Sequence, residues 1–450
     1  MRRAAHSIAL IVFLSIIFLS CTRNGVYQPP KEFGALEGKA AIYPETEFVV
    51  ISDPHYYDTS LGTEGKAYQD YLIRDRKLLK ESGEIIDTAV KEISRLPVDF
   101  VIVSGDLTKD GEKVNHQALA AKLKRLVDSG KKVYVVPGNH DVANGEAVRY
   151  QGARTEPVPA VSAKEFAEIY GDLGYGAALE RAPDSLSYLV EPVPGLWLLA
   201  LDTCKWQDNQ PGGHSPIDGA YAPQTFPWIE RMLMRSIKEG KAVIVFQHHG
   251  ILEHYPYNKK FYSDYMVDDF ERDGNMLSRF GVDLVFSGHF HAQDITSKTF
   301  DNPRRVIYDI ETGSLVTAPC PYRLVAIDAN QKAVIESRFI TAIPSRPDDF
   351  TAYAADYVYN MTIKLADAKL TGYKVNEPDR NKINPQVARA YMSHLNGDEK
   401  MRAVIDTDGL GWWAKFVMFM QANLLYGWTT DLPPADNRLI IDLAAGAGNE

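Results

Sequence analysis

Cysteine is almost missing from this chain, with three residues in 450, at positions 21, 204 and 320. So few cannot form a disulfide framework. They also rule out a structural zinc site built on several thiolates. Whether Cys204 and Cys320 pair or stay as two small thiols is left open by the sequence. An excess of basic charge is missing too. The formal net charge is −10, which argues against the broad positive footprint of a protein that binds nucleic-acid polymers. No internal repeat is visible. Long apolar runs are absent except for Ile8–Leu19, about a dozen residues and too short to span a bilayer as a helix. What remains is an ordinary globular composition, 45% hydrophobic and 24% charged. A chain of this length buries a large core without staples.

The apolar run at Ile8–Leu19 follows Arg2 and Arg3, the pattern of a secretory signal. Ser20 and Cys21 close it. A small residue followed by Cys at this point resembles a bacterial lipoprotein cleavage site. That resemblance implies lipidation of Cys21 and a lipid-anchored protein of the bacterial cell envelope, in contact with the membrane through its N-terminus. A plain secretory signal, with a secreted or periplasmic product, is the alternative. Residues 1–20 are therefore expected to be a signal peptide. Residues 21–44, broken by Gly25, Pro29, Pro30, Gly34, Gly38 and Pro44, are expected to be a tether.

From 45 to 344 the pattern alternates between strand and helix. Glu47–Ile51, Phe100–Ser104, Lys132–Val136, Leu196–Leu201, Ala242–Phe246 and Asp283–Phe286 are continuous apolar runs that suit buried strands. Helical spacing links Ile86, Val90 and Ile93, then Leu119, Leu123 and Leu126. Ser162 and Glu165 form a capping-box pattern. The expected fold class is α/β. Residues 345–450 show helical spacing only, beginning with Phe350, Tyr353, Ala354, Tyr357 and Val358, and are expected to form an all-helical C-terminal domain. Its stripe of Trp412, Trp413, Phe416, Phe419 and Trp428 is read as core packing rather than a membrane contact.

The loops after these strands carry the chemistry. Asp53 and His55 follow the first, and Asp106 the second. Asn139, His140 and Asp141 follow the third, and His248 and His249 the run at Ala242. His289 and His291 follow the last. In open α/β sheets, ligands bind beyond the carboxyl ends of the strands, so these groups converge on one edge. Carboxylate, amide oxygen and imidazole together suit divalent ions such as Mn, Fe, Zn or Co. There are too many candidate ligands for one tetrahedral ion. They suit two ions ~3.5–4 Å apart that share a carboxylate.

The series Asp53-x-His55, Gly105-Asp106-x4-Gly111, Gly138-Asn139-His140-Asp141, His248 and Gly288-His289-x-His291 resembles the calcineurin-like metallophosphoesterase superfamily over roughly 45–320. The resemblance implies a β-sandwich flanked by helices on both sides (α/β/β/α). It implies Asp53, His55 and His291 as ligands of one metal, Asn139, His248 and His289 as ligands of the other, and Asp106 as the bridge. His140 is implied as the histidine that contacts the substrate oxygens, with Asp141 orienting it. The chemistry implied is in-line attack on phosphorus by a hydroxide held between the ions.

The Asp-x-His start and the Gly-His-x-His end look most like the branch containing bacterial cyclic nucleotide phosphodiesterases and glycerophosphodiesterases, and the helical extension is similar to that of some cyclic-nucleotide-cleaving members. A small phosphodiester is therefore the expected substrate, with 2′,3′- and 3′,5′-cyclic nucleotides as candidates. A phosphomonoesterase or 5′-nucleotidase is the enzymatic alternative, and a non-catalytic metal-binding scaffold is the alternative of another class. His254 and Arg323 are the candidate substrate contacts, with ordinary packing as the alternative for both.

Overall fold

The computed structural model describes residues 27–31, 41–301, 304–400 and 405–446. The expected signal segment and Cys21 lie outside the described residues. In chain order the elements are β1 (Thr46–Ile51), α1 (Lys66–Arg74), α2 (Ser82–Ile93), β2 (Phe100–Val103), α3 (Lys113–Asp128) and β3 (Lys132–Val135). A small hairpin of β4 (Val148–Gln151) and β5 (Arg154–Pro157) follows, then α4 (Ala163–Ile169) with the expected capping box of Ser162 and Glu165. Next come β6 (Glu180–Arg181), β7 (Tyr188–Val193), β8 (Leu196–Leu201), α5 (Thr225–Glu239), β9 (Ala242–Gln247), α6 (Asn258–Phe261) and α7 (Phe270–Arg279). Strands β10 (Leu284–Ser287), β11 (Asp294–Asp301), β12 (Arg304–Glu311), β13 (Pro321–Ile327) and β14 (Lys332–Phe339) precede α8 (Phe350–Gly372), α9 (Glu377–Asn396), α10 (Trp412–Gly427) and β15 (Arg438–Asp442).

The strands form a six-stranded sheet, β15-β14-β13-β1-β2-β3, and a seven-stranded sheet, β11-β12-β10-β9-β8-β7-β6. They pack as a sandwich with helices outside. Side chains alternate across a strand, and β8 shows the consequence. Leu196, Leu198 and Ala200 enter the main core, while Trp197, Leu199 and Leu201 enter a second core under α5 and α7. The apolar run is continuous because both faces are covered. Phe48 stacks on Phe100 of its own sheet and meets Phe286 of the other edge-on at 5.4 Å. Truncating such a buried ring to Ala costs about 3–5 kcal/mol.

Strands β1, β2 and β3 are mutually parallel, as are β8, β9, β10 and β12. Parallel pairs need crossover connections, so the loops at their carboxyl ends gather at one edge.

Three expectations are corrected here. The C-terminal region does contain the helices, with their own small core around Ile383, Ala390, Val417 and Leu425, but it is not helical throughout. Its last strand, β15, returns to pair antiparallel with β14. Four of the five stripe aromatics are not core: Trp412 is 79% and Phe419 75% exposed, and Trp413 and Phe416 are also exposed, while Trp428 is half-buried and packs against core residues. The expected tether is partly docked, since Tyr27 is buried against Phe226 and Phe280 with its hydroxyl on Glu230, and Tyr43 is buried as well. Cys204 and Cys320 are both buried and free. Among the described residues no helix is long and apolar enough to cross a membrane.

Candidate metal centre

Five loops bring their polar side chains together at this edge. Asp53, His55, Asp106 and His291 form one group whose donor atoms lie within 4.8 Å of one another; Asp106, His248 and His289 form a second. Asp106 belongs to both. Its Oδ2 is 3.5 Å from His55 Nε2 and 3.4 Å from His248 Nε2. Asp53 Oδ1 is 3.3 Å from His291 Nε2. Asn139 Oδ1 faces His248 Nε2 at 3.2 Å. His249 is turned away, its two nitrogens on Thr203 Oγ1 and Ile217 O.

The far nitrogens of the rings set the near ones. His55 Nδ1 faces the Thr108 carbonyl at 3.3 Å and His248 Nδ1 the Ser104 carbonyl at 2.9 Å. A carbonyl only accepts, so each Nδ1 carries a proton and Nε2 is the nitrogen turned toward the centre. Close approach needs glycine at two places. A Cβ on Gly138 would collide with Asp106 Oδ1, and one on Gly288 with Ser52 and Asp53. The backbone is strained here as well. Asp53, His55, Asp106, His289 and His291 are five of the eleven non-glycine residues with positive φ among the described residues. Such strain persists only where surrounding structure enforces it, and it collects at functional sites.

The electrostatics suit cations. Burial drives His55 well below its usual range, helped by Lys77, and does the same to His289, helped by His249. Neutral imidazoles are what a metal needs. Burial alone would raise Asp106, but His248, His140 and His55 hold it well below the usual carboxylate range. His248 is the exception: burial opposes its charge, but Asp106 raises it to about 9, so an ion at this position would take the place of its Nε2 proton. Asp53 Oδ1 and His289 Nε2 are buried with no hydrogen-bond partner. Orphaned donors of this kind, in an all-oxygen and nitrogen set with one shared carboxylate, fit two divalent ions.

His140 stands beside the centre with its side chain 26% exposed and its Nε2 3.9 Å from Asp106 Oδ2. The expectation that Asp141 orients it is corrected. Asp141 accepts from the amides of Leu107, Thr108 and Gly138 and from Thr108 Oγ1, so it ties two loops together. The partner of His140 is Asp110, whose Oδ1 accepts from Nδ1 at 2.7 Å. Asp110 is itself paired with buried Lys109. The sequence held a signal for Asp110, inside the x4 of the Gly105-Asp106-x4-Gly111 block. It held none for Lys77, which is buried, paired with Asp75 and close enough to depress His55.

The two candidate substrate contacts are also corrected. His254 is fully buried between Asp294 at 2.9 Å and Asp309 at 3.3 Å. Arg323 is fully buried and donates to the carbonyls of Glu311, Asp294 and Asp436. Neither faces the centre. A cavity of about 410 Å³ does adjoin it, lined by residues that include Arg76, Tyr262, Tyr265, Phe290, Tyr391 and Trp428. The Tyr265 ring lies 4.3 Å from that of His289.

Two donor groups joined by one carboxylate at this strand edge suit a pair of divalent ions, the arrangement of a dimetal hydrolase. The family model for calcineurin-like phosphoesterases matches residues 46–293, and the chain belongs to that family. No curated protein matches the chain. Among solved structures it is similar to a dimetal phosphatase from Danio rerio, with 17% identity, a TM-score of 0.46, and 66% of this chain and 97% of that one covered. A purple acid phosphatase from yellow lupin (Lupinus luteus) gives 10% identity and a TM-score of 0.38, covering 67% of this chain and 52% of that one. A 5′-nucleotidase precursor from Thermus thermophilus gives 12% and 0.36, covering 71% and 58%. At these values the likeness bears on neither substrate nor mechanism.

Proposed function

We propose that the protein hydrolyses small phosphodiesters, with cyclic nucleotides as the candidate substrates. The observation that carries the reading is the Asp106 carboxylate shared between two donor groups, with an aromatic cavity against one of them. Asp53, His55 and His291 would hold one ion, Asn139, His248 and His289 the other, and Asp106 both. When bound, the ions supply Lewis acidity toward phosphoryl oxygens and lower the pKa of water.

The remaining work falls to the chain. Asp110 fixes the His140 ring so that Nε2 points toward the centre. Burial opposes a proton on His140, but Asp106 and Asp110 outweigh it and raise its pKa. A protonated His140 is a donor aimed where negative charge develops on the phosphoryl oxygens. Tyr265, Tyr262 and Trp428 offer flat faces to the organic part of the ester. Arg76, whose guanidinium lies 4.5 Å over the Tyr391 ring and whose Nε has no partner, offers a donor. Flat faces of this kind suit a nucleobase, the organic part of a cyclic nucleotide. The envelope location through Cys21 belongs to the same proposal, and lipid labelling lost in Cys21→Ala is its check.

The test is hydrolysis of bis-p-nitrophenyl phosphate against p-nitrophenyl phosphate after chelation and reloading with Mn, Fe, Zn or Co. Metal-restored preference for the diester supports the proposal. Preference for the monoester moves the reading to a phosphatase, and no cleavage with full metal content moves it to a scaffold.

A further inference from the structure

Helix α10 carries an apolar surface that none of the described residues covers. Trp412, Phe416, Phe419 and Tyr426 recur at helical spacing on its outer face, with Trp413 and Met420 beside them, and all six are exposed. The rings touch one another. Trp412 and Trp413 lie 5.6 Å apart, and Trp413 stacks on Phe416 at 5.5 Å. At the far end Tyr426 meets the exposed ring of Tyr257 at 6.4 Å. A contiguous apolar patch of this kind on a folded chain marks a surface that something else covers.

The charge around the stripe leans positive. The helix holds one charged residue, Lys415, and no acid. Lys374 follows Tyr373, whose carbonyl accepts from Trp413 Nε1 at 2.8 Å. Lys382 donates to the Gly409 carbonyl at the entry to the helix, and Lys260 lies in α6 just past Tyr257 at the other end. Among the described residues none of these four exposed lysines has a carboxylate partner, whereas the neighbouring Lys259 is paired with Glu271. Against them stand Asp406 and Asp408 in the loop before the helix.

That combination selects the occupant. A second copy of this chain would set lysines against lysines, which is repulsive. The cores of protein interfaces are depleted in lysine, yet Lys415 sits inside the stripe. A bilayer takes both features: aromatic rings settle at the headgroup level, and lysines reach past them to anionic phosphates. The N-terminal segment also joins the fold on neighbouring helices. Tyr27 is held by Asn275 of α7, Lys259 of α6 reaches Glu271 of α7, and Tyr257 before α6 meets α10. Cys21 is six residues before Tyr27, a reach of at most ~20 Å. The lipid proposed at Cys21 would therefore keep these helices near a membrane, and only this step rests on that reading.

We propose that the outer face of α10 rests on an anionic phospholipid surface, with its rings among the headgroups and its lysines on the phosphates. The helix lies along the surface and does not cross it, being 16 residues long. Its inner face, through Met418 and Leu425, lines the cavity beside the metal centre. Docking therefore brings that cavity close to the bilayer.

The test uses residues 22–450, which keep every described residue and carry no lipid, so it stands whether or not Cys21 is modified. The chain is floated with vesicles of equimolar phosphatidylglycerol and phosphatidylcholine, and with vesicles of phosphatidylcholine alone. It should rise with the anionic vesicles, and its tryptophan emission should shift to the blue as Trp412 and Trp413 leave water. The doubly substituted Trp412→Ser, Phe419→Ser chain should bind at least ~10-fold more weakly while keeping its melting temperature. The Lys374→Gln, Lys415→Gln chain should lose about tenfold on the anionic vesicles only. No flotation of the wild type overturns the proposal, and so does undiminished flotation of either variant. A wild type that ignores vesicles but forms a dimer, broken by the ring substitutions, overturns it in favour of a second copy. One that ignores vesicles and stays monomeric overturns it in favour of a protein partner.

Discussion

The metal centre and the acidic junction, where the C-terminal region docks on the sandwich, are both buried polar clusters, yet they are built in opposite ways. At the centre, imidazoles alternate with carboxylates, and ring nitrogens of His55 and His248 that face away are fixed by backbone carbonyls. At the acidic junction, Asp294, Asp398, Glu399, Asp431 and Asp436 outnumber the imidazoles of His394 and His254, and the fixed atoms are those of Asp398 and Asp436, held by loop amides. The centre draws its residues from the ends of adjacent strands, within short motifs. The junction draws them from β11, the end of α9 and the segment before β15, each far from the others in the chain. The difference teaches that local spacing exposes a site only where one sheet edge has collected it.

The largest effect that would break this comparison is at the shared carboxylate. Asp106→Ala should lower metal content at both positions and cut turnover by about a thousand-fold. If one ion and most activity survive, Asp106 is not shared. Next comes His140→Ala. It should leave metal content unchanged while lowering kcat by ~10²–10³-fold; loss of metal would place His140 among the ligands.

Asp110 and Asp141 sharpen the picture further. Asp110→Asn should lower kcat ~10–100-fold and move the pH profile, and it should cost stability as well because buried Lys109 loses a charged partner. Asp141→Asn should chiefly destabilise, by ~1–3 kcal/mol, because it weakens acceptors for buried amides. A shifted pH profile and lowered kcat in Asp141→Asn, with neither in Asp110→Asn, would restore Asp141 as the positioning residue.

His254 yields a smaller, pH-dependent effect. Burial lowers its pKa, but Asp294 and Asp309 outweigh that and hold it well above 6.5. A raised histidine stabilises the fold fully below its unfolded value, and that stability is lost as pH rises through the folded value. The gap in unfolding free energy between wild type and His254→Gln should be widest below about pH 6.5 and close at higher pH. A gap that widens with pH would mean the ring is neutral in the fold. Smallest of all, Phe419→Ser on the exposed face of α10 should change stability by no more than ~0.5 kcal/mol, since its ring is already in solvent. A larger loss in a melting curve would show that this face is covered.

The strands that carry the centre were legible because both faces are buried. Leu196–Leu201 and Ala242–Phe246 read as unbroken apolar runs. Strands β11 to β14 were not, because half-buried strands such as Lys332–Phe339 place charges on their open face. Helix α10 misled for the converse reason, since its aromatic residues look like core and lie at the surface. At the centre, motif spacing pointed to the right loops, but adjacency misassigned Asp141. The turn at 138–141 sends its carboxylate back to Leu107 and Thr108 and leaves His140 to Asp110. Arg323 and His254 carry the charge of a substrate contact, but burial decides otherwise, and burial is a tertiary property.

The most direct measurement is anomalous diffraction at the metal edge from crystals of the Mn-loaded chain. The account predicts two peaks ~3.5–4 Å apart with Asp106 Oδ2 between them, Asp53, His55 and His291 around one, and Asn139, His248 and His289 around the other. A single peak, or a pair not bridged by Asp106, would contradict it.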